Sequence, residues 1–119
     1  MEFSKRQLQV AALLKTELHD IFLRMQLHFI QGSLVSISQV KITPDLLEAR
    51  IYISIHPSEN QDFTLNIIKE KHSEIKRHLA AKAKHQLRRI PEINFYLDDT
   101  LDYVFKMESI FQKIKTKTP

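Results

Sequence analysis

The chain has 119 residues, no cysteine, a single glycine and a net charge of +4. That length supports one small domain, and the missing cysteines exclude disulfides and thiolate metal sites. One glycine leaves no material for a Gly-rich phosphate loop, and the longest apolar run, Val10 to Leu14, is too short for a membrane span or the core of a signal peptide. A soluble cytoplasmic domain over residues 1–119 is the expectation.

Ser4-Lys5-Arg6-Gln7 has the spacing of a capping box, flanked by Phe3 and Leu8 where a hydrophobic staple would stand. Behind it Leu8, Ala11, Leu14, Leu18, Ile21, Phe22, Met25 and Phe29 recur at steps of three and four. That stripe predicts an amphipathic helix over residues 5–28, with Gly32 ending the connection that follows. Residues 33–41 are rich in β-branched side chains and predict a strand. In residues 47–55 the alternation is cleaner: Leu47, Ala49, Ile51, Ile53 and Ile55 share one face, and Glu48, Arg50, Tyr52 and Ser54 the other. Thr43-Pro44-Asp45 supplies turn chemistry between the two strands, so the pair reads as an antiparallel hairpin.

Residues 62–88 lack glycine and proline and predict a long helix. It should bend near residues 72–73, where the stripe of Phe63, Ile67, Ile68, Ile75, Leu79, Ala83 and Leu87 lapses. Pro91 stops it. Residues 93–97 alternate again and predict a third strand. Asp98-Asp99-Thr100 then opens a last helix carrying Leu101, Val104, Met107, Phe111 and Ile114, and residues 115–119 form a frayed tail. The expected class is α+β: helix, strand, strand, bent helix, strand, helix, with a three-stranded sheet covered by helices on one face.

Charge is concentrated in residues 69–89. Eight basic residues (Lys69, Lys71, Lys76, Arg77, Lys82, Lys84, Arg88 and Arg89) face only Glu70 and Glu74, a local excess larger than the charge of the whole chain. A lopsided run on a near-neutral background is the footprint of a polyanion, and nucleic acid is the commonest one. A face kept only for solubility more often mixes signs. Lys76, Arg77, Lys82, Lys84, Arg88 and Arg89 are the expected phosphate contacts. Few amides or aromatics stand near, so the mode is recognition of folded RNA by backbone and shape. Lys5, Arg6, Lys15 and Arg24 read as ordinary exposed cations.

Three other constellations carry less. His78 and His85 are seven apart and His72 is worse aligned, whereas helical metal pairs stand three or four apart with further ligands, so no metal site is expected. Asp98, Asp99 and Asp102 have the composition of a magnesium-dependent nuclease, yet each sits where a helix N-terminus favours negative charge. Tyr52, on the polar side of its strand, has a ring a base could stack on, though strand tyrosines more often pack the ring and expose the hydroxyl.

Four segments in order give the chain a family resemblance. They are Ser4-Lys5-Arg6-Gln7 continued by residues 14–18, residues 40–46 running into 49–54, residues 86–95 with their basic helix end and Pro91, and Asp98-Asp99-Thr100-Leu101. Together they resemble the ribosome-binding factor A family, whose fold is a type II K-homology (KH) domain. Where KH domains usually carry Gly-x-x-Gly, and this family a small-residue kink, the chain has Lys71-His72-Ser73. The resemblance implies a non-enzymatic RNA-binding factor that binds the immature small (30S) ribosomal subunit. It further implies help in late maturation and 5′-end processing of 16S rRNA, without a cofactor, a small-molecule substrate or a membrane, by a protein that is a monomer when free. A basic protein-interaction adaptor and the magnesium-dependent nuclease are the alternatives.

Overall fold

The computed structural model describes residues 3–98. Helix α1 (Lys5–Arg24) starts on the expected capping box. The Ser4 hydroxyl accepts from the Gln7 backbone N–H at 3.1 Å, and the Gln7 side-chain oxygen accepts from the Ser4 N–H at 2.8 Å. The buried stripe is Val10, Leu14, Leu18, Ile21 and Phe22, rotated from the expected one, so Leu8 and Phe29 are exposed. The helix also ends four residues before the predicted boundary. Gln26 takes a left-handed φ of 58°. Its N–H donates to Leu23 and that of Leu27 to Phe22, at 3.2 and 2.8 Å. Those two bonds satisfy the last carbonyls of the helix as a Schellman cap, a role usually filled by glycine.

Early termination frees residues for an extra strand. Strand β1 (Phe29–Ile30) pairs antiparallel with β2 (Ser33–Ile42) across Gln31 and Gly32, both at positive φ. Two consecutive positive φ values make the two-residue hairpin turn whose twist matches its strands. The sheet therefore has four strands, not the three expected. Strand β3 (Glu48–His56) pairs antiparallel with β2, with a register shift between Ile37 and Gln39. The connecting turn is held by Asp45, which accepts from the Thr43 hydroxyl at 2.6 Å and the Leu47 N–H at 3.0 Å. Both bonds favour the ionised carboxyl and hold its pKa below the usual carboxylate range. Ala49, Ile51, Ile53 and Ile55 face the core as expected, but Leu47 falls in the turn and is exposed.

The long basic segment is two helices, α2 (Gln61–Glu70) and α3 (His72–Ala83), separated by Lys71 alone. Lys71 sits at φ −91°, ψ 8°, and its N–H reaches Ile68 three residues back. The bend thus lies one residue before the expected place, and α3 stops at Ala83 where the sequence predicted helix to residue 88. Leu87 still packs into the core, so the inward stripe Ile75, Leu79, Ala83 and Leu87 outlasts the helix. Strand β4 (Glu92–Leu97) then runs parallel to β3 and completes the order β1-β2-β3-β4. A parallel neighbour requires a crossover, and α2 and α3 provide it.

Among the described residues, α1, α2 and α3 lie on one face of the sheet. Helix α1 packs against β2, α2 against β3 and β4, and α3 against α1. Ile51, Ile53 and Ile93 of the sheet, Leu14 and Leu18 of α1, and Ile68, Ile75 and Leu79 of the crossover are fully buried. The rings of Phe22 and Phe95 meet at 6.2 Å between centroids. The described part has the type II KH-like topology. The helix expected from Asp98 onward lies outside the described residues.

Gln7 links these layers. It is buried, and besides closing the capping box its side-chain amide donates to the Ile42 carbonyl at 2.8 Å. Gln7→Ala should lower stability by about 1–3 kcal/mol, because it removes the cap contact and leaves a carbonyl unpaired. Urea unfolding should show a lower midpoint with an unchanged slope.

Candidate nucleic-acid interface

Helix α3 presents its cations outward because Ile75, Leu79 and Ala83 hold its other side in the core. Arg77 and Lys84 are seven residues apart, so at 3.6 residues per turn they share the outer face. Gln86 and Leu87 both donate to the Ala83 carbonyl at 2.9 Å, a tight turn that carries Arg88 and Arg89 past the helix end. These four side chains are exposed and form no ion pair or hydrogen bond with another described residue.

The other two expected contacts are engaged within the molecule. The Lys76 ammonium donates to the Glu92 carboxylate at 2.6 Å, tying α3 to the start of β4. The pairing pulls the Glu92 pKa below its ordinary value. Lys82 bonds Asp20 and lies 3.3 Å from Glu17, both on α1. Asp20 also accepts from Arg24 at 3.0 Å. Lys82 is three-quarters screened from solvent, so it serves as a clamp between two helices. Spacing alone did not reveal these pairings, since their acids lie 62 positions upstream and 16 downstream in the chain.

Beyond the helix end, Arg88 and Arg89 line a cavity of about 490 Å³ together with Arg6 of α1. Its apolar lining is Val10, Leu46, Leu47, Leu87 and Pro91, and Asp45 lines it too. Arg6 had no distinguishing mark in the sequence. Only the packing of α1 beside the segment after α3 brings it to the other arginines. Of the remaining first-helix cations, Arg24 pairs with Asp20, and Lys15 donates to the Ser38 carbonyl at 3.1 Å.

The histidines divide in the same way. His72 packs its ring edge-on against Phe95, with Nε2 2.8 Å from the Ile93 carbonyl and 3.4 Å from Glu92. It joins the kink to β4, while His78 stays exposed on α3 and His85 in the turn that follows it. Among the described residues no three His, Asp or Glu side chains converge as a metal site. Asp98 accepts a 2.5 Å bond from the Ser38 hydroxyl, and Asp99 and Asp102 lie outside the described residues.

The described residues thus form a KH-like domain, with helices on one face of a sheet and exposed cations on and beyond α3 that no described acid pairs. The ribosome-binding factor A family model matches residues 6–111, and the chain belongs to that family. It is 38% identical to ribosome-binding factor A of Christiangramia forsetii over 118 residues, covering 98% of this chain and 88% of that one. Among solved structures, the crystal structure of ribosome-binding factor A from Thermus thermophilus superposes with a TM-score of 0.63 at 18% identity. The match covers 76% of this chain and 94% of that one. A homology model of the Thermus protein, fitted into a cryo-electron microscopy map of a 30S–ribosome-binding factor A complex, matches with a TM-score of 0.58. There the identity is 18% and the coverage 74% and 90%.

The clamp between α1 and α3 gives a pH dependence of known sign. The Lys82 bond, with help from Arg24, lowers the Asp20 pKa, and Asp20 and Glu17 raise that of Lys82. The Asp20 contribution is present above the ordinary carboxylate pKa and is lost as pH falls through the lowered folded value. The Lys82 contribution is present below the ordinary lysine range and is lost as pH rises through the raised one. Solvent screening keeps both small. Asp20→Asn should flatten the acid limb of a melting-temperature profile below about pH 4 and leave the shape near neutrality unchanged.

Proposed function

We propose that this chain binds the immature small (30S) ribosomal subunit through RNA phosphate at Arg77, Lys84, Arg88 and Arg89. Late maturation of the subunit, including 5′-end processing of 16S rRNA, is the step it assists. It acts by binding, as a cytoplasmic monomer without a cofactor, and separate nucleases cut the RNA. Lys76 and Lys82, expected among the phosphate contacts, act instead through Glu92, Glu17 and Asp20 to fix how α3 is displayed.

One observation carries the reading. Four cations along the outer face of α3 and the segment after it remain unpaired by any described acid, while Lys71, Lys76 and Lys82 of the same segment are paired. An unpaired cation in water gains most from a polyanion, because contact releases the counterions condensed on it. Membership in the family supports the choice of ribosomal RNA, as does the Thermus protein fitted in a 30S complex. Among the described residues no helix is long and apolar enough to cross a membrane.

Replacing Arg77, Lys84 and Arg88 with Ala should weaken binding to immature 30S subunits and reduce the slope of log affinity against log salt by about three. Folding stability should change by less than about 0.5 kcal/mol per position, since all three are exposed. A variant that binds subunits as the parent does would exclude this surface. Equal affinity for heparin would favour the adaptor. Cleavage of precursor rRNA by the purified protein with magnesium would favour the nuclease.

A further inference from the structure

The face of the sheet away from α1, α2 and α3 carries its own arrangement. Tyr52 of β3 and Tyr96 of β4 are register partners on neighbouring parallel strands. Their rings stand 5.7 Å apart at 32°, and Tyr96 is 41% exposed. The Lys41 ammonium lies 5.2 Å from the centre of the Tyr52 ring. In the next register row Lys41, Arg50 and Asn94 stand side by side across β2, β3 and β4. Arg50 pairs with Glu48 at 3.5 Å, and its side chain stays half exposed. Glu92, the other acid at this end, is already held by Lys76.

We propose that this face, which α1, α2 and α3 leave uncovered, is a second RNA contact, a platform on which Tyr52 and Tyr96 stack unpaired bases of a single strand. The inference rests on the reading of the chain as a ribosomal-RNA binder and adds base contact on the side opposite α3. Exposed aromatic rings on a sheet are the means by which protein surfaces hold unstacked bases, since every base offers a π-face. Lys41 and Arg50 stand beside the rings, where the phosphates of a stacked nucleotide run. The Asn94 amide, with donor and acceptor together, can meet a base edge. A lipid or protein partner would call for contiguous aliphatic surface; the platform's immediate neighbours are Ser36, Gln39 and Ser54, and the exposed pair Leu34 and Phe29 lies beyond them, on the far side of Ser36.

The chain contains three tyrosines and no tryptophan, so intrinsic tyrosine fluorescence can report on stacking. The full chain is titrated with a single-stranded RNA of about eight nucleotides and with an abasic strand of the same phosphate count. The normal strand should quench the fluorescence and bind roughly tenfold more tightly than the abasic one. Tyr96→Ala and Tyr52→Ala should each erase that difference, while Tyr96→Phe, which keeps a ring, should retain it. Equal binding of the two strands, absence of quenching, or alanine variants that match the parent would overturn the proposal. If these variants match the parent while the α3 triple variant loses the subunit, the platform falls and the ribosomal reading stands. If the parent chain itself fails to bind immature 30S subunits, the ribosomal reading falls, whatever the strands show.

Discussion

Among the described residues, everything is arranged around a sheet whose helices α1, α2 and α3 keep one side dry. The isoleucines of β3 and the apolar residues of β4 point to that side, and three helices lie across it. Burial of those side chains, at about 25 cal/mol for each Å² removed from water, decides which way every other residue faces. It sends the cations of α3 outward, and it leaves the tyrosines of alternate positions on the opposite face. Two surfaces of different chemistry thus follow from a single hydrophobic layer.

Electrostatics then divides the basic residues by distance to an acid. A cation that reaches a carboxylate becomes part of the scaffold, as Lys82 does between α1 and α3 and Lys76 at β4. One that reaches none stays available to a ligand. The patch is therefore smaller than composition implies and also better defined. Each clamp fixes the frame from which Arg77, Lys84, Arg88 and Arg89 project. Arg6 joins them only because α1 passes under the segment that follows α3.

Much of the fold was legible because local signals agreed with it. The capping box at Ser4, the turn at Asp45 and the period-two alternation of β3 all depend on neighbours in sequence, and each is present. Errors arose where tertiary contact overrode local preference. No glycine marks the end of α1, because Gln26 takes the left-handed position that glycine normally occupies. Strand β1 is two residues long, below the length at which periodicity can be seen. Helix α3 stops at Ala83 although its apolar stripe runs on to Leu87. For the interface, the sequence located the charge but not its partners, because ion pairs formed across tens of residues leave no local pattern.

The crossover between β3 and β4 has a consequence for how the molecule assembles. Strand β4 can take its place only after the chain has travelled through two helices, so its contacts carry a large loop-closure cost. The hairpins and α1 form from near neighbours and come first. Until β4 arrives, Phe22 lacks the ring of Phe95 and β3 shows a bare hydrogen-bonding edge. On a ribosome making this protein, β3 is therefore an open template for much of synthesis, and β4 is the strand that pairs its bare edge.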